Sequence, residues 1–153
     1  MSTDNTPYPL IWIRSLAFWI IFPVSMVIFA ILLLFTVFFT LETRWRLLQV
    51  WVHFILWWLK VTCKLTYEVH GSEHITSEAG IVFSKHQSTW ETIALQQIFP
   101  VQVWVAKREL MWLPFFGWGL AMMKCIHIKR GSGKAAVKQL VTQGRARPVS
   151  YTH

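Results

Sequence analysis

The residues best suited to acid–base chemistry lie in one short block, Lys85-His86-Gln87-Ser88-Thr89-Trp90-Glu91. The block follows a short apolar run, Gly80–Ser84, and leads into a helix-like stretch, Thr92–Ile98. Imidazole changes charge near neutral pH, and a neighbouring carboxylate fixes its tautomer and favours its protonated form. His86 and Glu91, five positions apart, therefore suit a general base and the acid that orients it.

Glu91 also suits a structural role. Ser88 and Glu91 have the S-x-x-E spacing of a capping box, in which the serine caps a helix and the acid returns a hydrogen bond to the serine backbone. His86 stands after a predicted strand and before a predicted helix, where α/β folds place ligands. On these residues alone, Glu91 serves either the helix start or the histidine, and both interpretations stay open.

The elements that must position this block are predicted from alternation and turn residues along the chain. Strands are expected at Leu65–His70, Ile81–Phe83, Val101–Val105 and Cys125–Ile128. Helices are expected at Thr89–Ile98, from Pro114 to about Met123, and, after a turn at Gly131–Gly133, at Lys134–Gln143 with Gly144 as the stop. Strands that alternate with helices predict an α/β fold around a largely parallel sheet.

The first part of the chain has the character of a membrane anchor. No charged residue occurs from Ser15 to Leu41, and a helix of that length exceeds the roughly 30 Å hydrocarbon core of a bilayer. Pro23 predicts a kink or the end of a first turn. A signal peptide would have a shorter apolar run and a small-residue cleavage site, which does not follow here.

A second apolar segment, Trp45–Val61, carries Arg46, His53 and Lys60 and is crowded with tryptophan. Its stretch free of Arg and Lys is short for a span, and tryptophan near basic residues is typical of the headgroup region. We expect a helix in the membrane interface, with a second span as the alternative. Residues 1–64 are thus interpreted as an N-terminal membrane anchor and interfacial helix, and residues 65–153 as a separate domain.

Basic residues around the first apolar segment predict its orientation. Arg44 and Arg46 follow the segment, whereas only Arg14 lies close before it. The positive-inside rule then places the C-terminal part in the cytoplasm for a single span, and a helical hairpin would place the N-terminus there as well. The expected location is a membrane of the bacterial cytoplasmic type, with the catalytic part facing the cytoplasm.

The charge of the chain excludes some partners and favours others. The formal net charge is +8, and nine Lys and Arg residues but a single acid, Glu109, follow Val105. A basic, tethered domain is attracted to anionic membrane lipid. No nucleic-acid-binding motif is present, Cys63 and Cys125 lack metal-ligand spacing, and neither a G-x-S-x-G elbow nor a Gly-rich phosphate loop occurs. The sequence therefore predicts no metal, no cofactor and no nucleic-acid partner.

Two blocks in order resemble the glycerolipid acyltransferases. The first is His-x4-acid after a short strand, and the second comprises Lys107–Leu110 and Pro114–Gly117. More narrowly, the region from about Thr66 to Gly144 resembles the PlsC-type 1-acyl-sn-glycerol-3-phosphate (lysophosphatidic acid) acyltransferases. The resemblance implies transfer of a fatty acyl group from acyl-CoA or acyl carrier protein (acyl-ACP) to the sn-2 hydroxyl of lysophosphatidic acid, giving phosphatidic acid.

The resemblance implies a role for each residue of the first block. His86 would be the general base that takes the proton from the lysophospholipid hydroxyl, whose oxygen then attacks the thioester. Glu91 would orient His86 and stabilise the imidazolium. Base catalysis by a positioned group typically contributes about 10²–10⁴-fold. No covalent acyl-enzyme is implied.

The second block would bind substrate. By the same resemblance, Lys107 and Arg130 would lie near the substrate phosphate, which suits a planar guanidinium fork and an ammonium point charge. Phe116 and Gly117 would shape the pocket wall. Without the resemblance, the simplest interpretation is that Lys129 and Arg130 are two neighbouring cations exposed to solvent. Phe116 would then be a residue of the hydrophobic core.

The chain departs from the family pattern at three points. Glu91 stands where the family commonly has aspartate, and Lys129 stands where it often has an acid. The family's third motif, Glu-Gly-Thr-Arg, and its proline-containing fourth motif do not occur. We therefore expect a C-terminally truncated, incomplete acyltransferase domain with little activity by itself. The alternative is an inactive remnant that acts at most as a membrane-anchored basic lipid-binding protein.

Overall fold

The computed structural model describes residues 7–76, 81–85, 87–129, 131 and 133–145. Two long helices come first, α1 at Tyr8–Phe35 and α2 at Leu41–Cys63. A 3₁₀ turn at Ser72–His74 and helix α3 at Thr89–Ile98 follow. The remaining elements are strand β1 at Val105–Lys107, a 3₁₀ helix at Arg108–Trp112, helix α4 at Phe116–Met122, strand β2 at Ile126–Ile128 and helix α5 at Lys134–Arg145.

Helices α1 and α2 form an antiparallel hairpin. Near the beginning of α1, the Arg14 guanidinium donates to the backbone carbonyls of Val61 and Thr62 at the end of α2. Farther along, the Phe22 and Trp51 ring centroids lie 6.0 Å apart. Helix α1 passes through Pro23 without ending there. Among the described residues, α1 is the one helix long and apolar enough to cross a membrane.

Arg44 ties the turn of the hairpin to the rest of the chain. Its guanidinium donates to the carbonyls of Thr36 at 3.2 Å, Val37 at 2.7 Å and Phe39 at 3.1 Å, all at the end of α1 or in the turn. The same group donates to Met122 O at 3.0 Å, at the end of α4. The last carbonyls of a helix lack intrahelical donors, so one side chain satisfies acceptors from two helix ends.

Helices α3 and α4 pack on the hairpin through two apolar clusters. Val52 and Ile55 of α2 are fully buried and pack with Ile93 of α3. Leu33 of α1 packs with Met123 and Cys125, which follow α4. Burial of a side chain of this size contributes roughly 1.5–3 kcal/mol. The hairpin therefore serves as the platform on which the elements after residue 64 are assembled.

The sheet is parallel, as predicted, but within the described residues it has two strands only. Val105 pairs with Ile126, Ala106 with His127 and Lys107 with Ile128. β2 matches its predicted position to within one residue. The strand expected at Val101–Val105 begins at Val105 instead, because Gln102 donates its side-chain amide to Leu95 O at 2.6 Å and holds this segment against the end of α3.

Two predicted strands do not form in the structure. Leu65–His70 has no regular structure. Tyr67 instead donates to Gln97 Oε1 at 2.8 Å and packs edge-on against the Trp90 ring, so α3 rather than a neighbouring strand holds this segment. Residues 81–83 form no strand with any described residue, and the Phe83 side chain is 93% exposed. An alternating sequence provides one apolar face that can be buried. A strand forms only if its backbone N–H and C=O groups also find a neighbouring strand to pair with.

The predicted helices form, with changed ends for two of them. α3 has its predicted bounds. α4 starts two residues after Pro114, and α5 runs past the expected stop at Gly144 to Arg145. Gly144 lies in the last turn of α5, where an added Cβ would be 4.0 Å from Ile126 Cδ1. An added methyl group would therefore only make an ordinary van der Waals contact with β2.

Candidate active site

The start of α3 carries the acid of the first block. Ser88 is the N-cap residue, and its hydroxyl accepts a hydrogen bond from the Trp90 N–H at 3.2 Å. Glu91 returns bonds to the N-cap in a complete capping box, with the Ser88 N–H 2.9 Å from Oε1 and 2.8 Å from Oε2. The structural role predicted for Glu91 is therefore present.

Two further donors reach the Glu91 carboxylate. The Ser88 hydroxyl donates to Oε2 at 2.6 Å, and the Gln87 backbone N–H donates to Oε1 at 2.6 Å. The Ser88 hydroxyl is the main cause that lowers the pKa of Glu91 from 4.5 to about 2, followed by backbone N–H groups, first that of Gln87. Glu91 is consequently an anion at neutral pH.

The Glu91 carboxylate is surrounded by donors from its own turn. An ionised carboxylate offers about four lone-pair sites, and the Ser88 hydroxyl and the backbone N–H groups of Gln87, Ser88 and Glu91 approach it here. Gln87 is the residue that directly follows His86 in the chain. His86 itself lies outside the described residues, so its predicted pairing with Glu91 stays a prediction.

The cations of the second block fall at the carboxyl end of the sheet. Lys107 is the last residue of β1, is exposed, and pairs in register with Ile128, the last residue of β2. Lys129 follows β2 directly and is also exposed. In α/β folds ligands bind outside the carboxyl ends of the strands. Arg130 lies outside the described residues, so its predicted phosphate contact stays a prediction.

Gly117 is required for the packing of α4. A Cβ at this position would lie 2.3 Å from Met111 O and 3.0 Å from Leu110 O, both of which belong to the preceding 3₁₀ helix. Backbone atoms cannot move aside as the end of a side chain can. Gly117 is buried, and its N–H donates to Leu113 O at 2.8 Å. Gly117 thus allows α4 to fold back on the chain that follows Lys107.

Phe116 begins α4 and is half-buried. Its neighbour Phe115 has a φ of 63°, in the left-handed region that residues other than glycine rarely adopt, and packs edge-on against Trp118 at 4.9 Å. The backbone turns sharply here, since the Phe116 N–H donates to Pro114 O at 2.7 Å. The Pro-Phe-Phe-Gly sequence therefore forms a tight turn with half-buried aromatic rings at the start of α4.

In the described part of the chain, the charged groups of the two blocks do not contact each other. Among the described residues, no hydrogen bond or ion pair connects Glu91 to Lys107. Two surface depressions lie elsewhere, one along Pro23–Ile28 of α1 and one on α5 around Lys138 and Thr142. Within the same part of the chain, no group of three His, Cys, Asp or Glu side chains is arranged to hold a metal ion.

Several positioning residues were not singled out from the sequence. The Gln87 N–H and the Ser88 hydroxyl bind the Glu91 carboxylate, and only the S-x-x-E spacing signalled part of this arrangement. From the sequence, Arg44 predicts only the orientation in the membrane, whereas in the structure its guanidinium donates to four backbone carbonyls. No local pattern reveals its contact with Met122, because the two residues are 78 positions apart.

Comparisons with known proteins place the chain among related sequences. The family model described as "Acyltransferase" matches residues 66–149. The chain is 40% identical over 134 residues to a 1-acyl-sn-glycerol-3-phosphate acyltransferase of Pseudomonas aeruginosa, a match covering 86% of this chain and 52% of that protein. It is 31% identical over 83 residues to a protein of the same name from Saccharomyces cerevisiae, covering 54% of this chain and 27% of that protein.

The chain therefore spans about half the length of the Pseudomonas relative, and less of the yeast one. No solved structure matches it significantly.

Proposed function

This chain belongs to the acyltransferase family, and from that premise we propose that it carries the base and part of the substrate site of a lysophosphatidic acid acyltransferase. The reaction would move a fatty acyl group from a thioester to the sn-2 hydroxyl of 1-acyl-sn-glycerol-3-phosphate. The names of the two relatives support this substrate. The observation that carries the proposal is the ionised Glu91 carboxylate bound to the backbone directly after His86.

In the proposed mechanism, His86 accepts the proton of the lysophospholipid hydroxyl as its oxygen attacks the thioester carbonyl carbon. A tetrahedral intermediate forms, the C–S bond breaks, and the departing thiolate takes a proton from the imidazolium. The new ester is phosphatidic acid, and the other product is the free thiol of the carrier. Glu91 stays ionised throughout, and its charge stabilises the imidazolium.

The substrate phosphate would lie at the carboxyl end of the sheet. Lys107 ends β1 and is exposed there. Arg130 follows β2 by two residues in the sequence and would add a planar fork of donors. Phe116 and Gly117 would form the adjacent wall, with Gly117 permitting the close approach of α4 to residues 110 and 111.

Membrane attachment would bring this site to its lipid substrate. Helix α1 has 28 residues and most of its apolar side chains are exposed. At about 1.5 Å per residue its length is about 42 Å, more than a hydrocarbon core requires. Because α4 packs at the turn of the hairpin and α3 packs near its middle, the hairpin and the part after residue 64 would lie together on the cytoplasmic side of a bacterial-type membrane, with the exposed apolar side chains of α1 in the lipid.

The location can be tested on a native thiol. Cys63 ends α2 and is exposed, whereas Cys125 is buried. A membrane-impermeant maleimide should label Cys63 in inside-out vesicles and not in right-side-out vesicles, with Cys63→Ser as the control for background. Labelling in right-side-out vesicles would contradict the cytoplasmic location.

The activity is tested by thioester-dependent acylation of lysophosphatidic acid, with labelled palmitoyl-CoA as donor. The chain is assayed beside an extended chain, in which the segment matched by the Pseudomonas relative is followed by that protein's remaining C-terminal part. Formation of labelled phosphatidic acid that depends on lysophosphatidic acid supports the proposal. An extended chain that inserts into membranes and forms no phosphatidic acid would overturn it.

A further inference from the structure

Helix α5 is fixed to the free edge of the sheet by two glutamines. The Ile126 N–H of β2 donates towards β1, to Trp104 O at 2.8 Å, so the backbone groups of His127 face the other edge. There Gln143 accepts from the His127 N–H at 3.3 Å and donates to His127 O at 2.9 Å. Gln139 accepts from the Lys129 N–H at 3.3 Å. Amide side chains thus satisfy edge groups that another strand would otherwise pair.

This attachment determines which face of α5 points outwards. Gln139 and Gln143 are four positions apart and share one face of the helix. The opposite face consists of Lys134, Lys138, Val141 and Arg145, with Val137 beside them, and all five are exposed. We call these five residues the α5 stripe. Its spacing of three or four residues aligns it along the helix, over about 16 Å from Lys134 to Arg145 at about 1.5 Å per residue.

The α5 stripe combines unpaired positive charge with exposed apolar groups. Helix α5 contains three basic residues and no acid. In the part of the chain that the structure describes, no carboxylate forms an ion pair with Lys134, Lys138 or Arg145. Val137 is 60% exposed and Val141 is 45% exposed. Apolar groups flanked by cations are suited to a partner with an acidic surface.

We propose that the α5 stripe is a docking surface for an acidic carrier protein that delivers the acyl group as a thioester. The proposal rests on the acyltransferase function proposed above, whose donor it identifies as a protein. Opposite charges would steer the carrier to the helix, and the two valines would supply a small apolar centre for the contact.

The location of α5 fits delivery to the candidate site. The helix begins at Lys134, after β2 and the turn that contains Gly131 and Gly133, both with positive φ. Its first turn therefore follows the carboxyl end of the sheet, where Lys107 lies in register with the end of β2. A protein bound along the stripe would have one end beside the strand ends.

The side chains of the stripe favour a protein over a lipid surface. Helices that lie in a membrane interface usually insert large groups such as Trp, Phe and Leu on their apolar side. The sequence of α5, KAAVKQLVTQGR, has no aromatic residue. Val137 and Val141 offer little area for insertion, whereas the aromatic residues of this chain are concentrated on α1 and α2.

The test compares carrier binding and donor use between matched variants. A fluorescent palmitoylated bacterial acyl carrier protein is titrated with the full chain in neutral detergent. We expect Lys134→Gln/Lys138→Gln to weaken binding about five- to tenfold, and added salt to weaken binding of the unaltered chain. In the extended chain, the same variant should raise KM for palmitoyl-ACP by a similar factor and leave palmitoyl-CoA turnover unchanged.

A control variant separates the stripe from overall charge. Lys60→Gln/Lys124→Gln removes the same two charges from exposed positions outside α5 and should bind the carrier like the unaltered chain. Equal weakening in both variants, or none in either, would overturn the proposal. Stripe-dependent binding to anionic vesicles without carrier binding would overturn it in favour of a lipid surface.

Failure of the proposed activity gives a different result. Stripe-dependent carrier binding by an extended chain that acylates nothing from either donor would support the docking surface while contradicting the acyltransferase function. If Lys134→Gln/Lys138→Gln transfers acyl groups from both donors at the same rates as the unaltered extended chain, the result would support the acyltransferase function and contradict the docking surface.

Discussion

The Glu91 Oε1 atom accepts a 2.6 Å hydrogen bond from the backbone N–H of Gln87. This bond joins the first turn of α3 to the residue that follows His86 in the chain. The two roles open for Glu91 are therefore compatible. The capping box holds the carboxylate in place and keeps it ionised, and the proposed base directly precedes Gln87 in the sequence.

Glu91 should contribute to the acid sensitivity of the fold. Its pKa is lowered from 4.5 to about 2 in the folded chain, chiefly by the Ser88 hydroxyl and the Gln87 N–H. A carboxyl group whose pKa is lower in the folded than in the unfolded chain stabilises the fold fully at any pH above the unfolded pKa. This stabilisation is lost as the pH falls towards the folded pKa. Glu91→Gln can still cap the helix but has no carboxylate to protonate. Its free energy of unfolding should therefore fall less than that of the unaltered chain between pH 4.5 and about 2.

The measurement is the thermal unfolding midpoint of the unaltered chain and of Glu91→Gln, both in detergent, across that pH range. The unaltered chain should lose its advantage over the variant as the Glu91 carboxylate takes up a proton. A difference between the two midpoints that stays constant from pH 4.5 down to about 2 would show that the carboxylate does not titrate as its hydrogen bonds indicate.

Glu91→Gln should also change the pH dependence of acyl transfer in the extended chain. A nearby carboxylate raises the pKa of an imidazole, and the neutral imidazole is the active base. Loss of the charge should lower the rate and move the acid limb of the kcat profile to lower pH. If Glu91 acts only as a helix cap, the rate should fall but the acid limb of the kcat profile should stay at the same pH. Measuring kcat from about pH 5 to 8 therefore distinguishes the two roles.

Gly117→Ala should destabilise the chain by about 1–3 kcal/mol, as overpacking of a closed site usually does. The new Cβ would lie 2.3 Å from Met111 O, which is backbone and cannot rotate away. Gly119→Ala is the matched control in the same helix, because no atom lies within 4 Å of its added Cβ. Denaturant unfolding should separate the two variants, and equal stability for both would contradict the close approach.

Arg44→Met should destabilise the hairpin by roughly 1.5–3 kcal/mol, since hydrogen bonds from a charged donor to four carbonyls are lost. Arg46→Met is the control on the same helix. Its partner is the exposed Glu42 carboxylate at 2.7 Å, and exposed ion pairs contribute little. Unfolding in detergent measures both changes, and an Arg46→Met loss as large as that of Arg44→Met would contradict the clamp.

The sequence predicts local elements better than distant pairings. The start of α3 follows from Ser88 and Glu91, whose contacts are all within four residues. The strand predicted at Leu65–His70 depended on a partner elsewhere in the chain, and Tyr67 finds Trp90 and Gln97 instead. The role of Arg44 depends on Met122 and could not be read from neighbouring residues.

The candidate site shows the same limit. The types and spacing of His86 and Glu91 indicate chemistry, and the structure adds what holds the acid in place. Gly117 was expected at a pocket wall, and its closest constraint is the backbone at Met111. Close backbone approaches of this kind depend on how two helices pack, which no motif specifies.

The most direct test of the central claim is acyl transfer by His86→Ala in the extended chain. The assay uses palmitoyl-CoA and lysophosphatidic acid, so that it is independent of carrier docking. His70→Ala, at an exposed histidine, is the control. We expect His86→Ala to lower kcat by about 10²–10⁴-fold and His70→Ala to leave it unchanged. An equal rate for His86→Ala and the unaltered extended chain would contradict the assignment of His86 as the base.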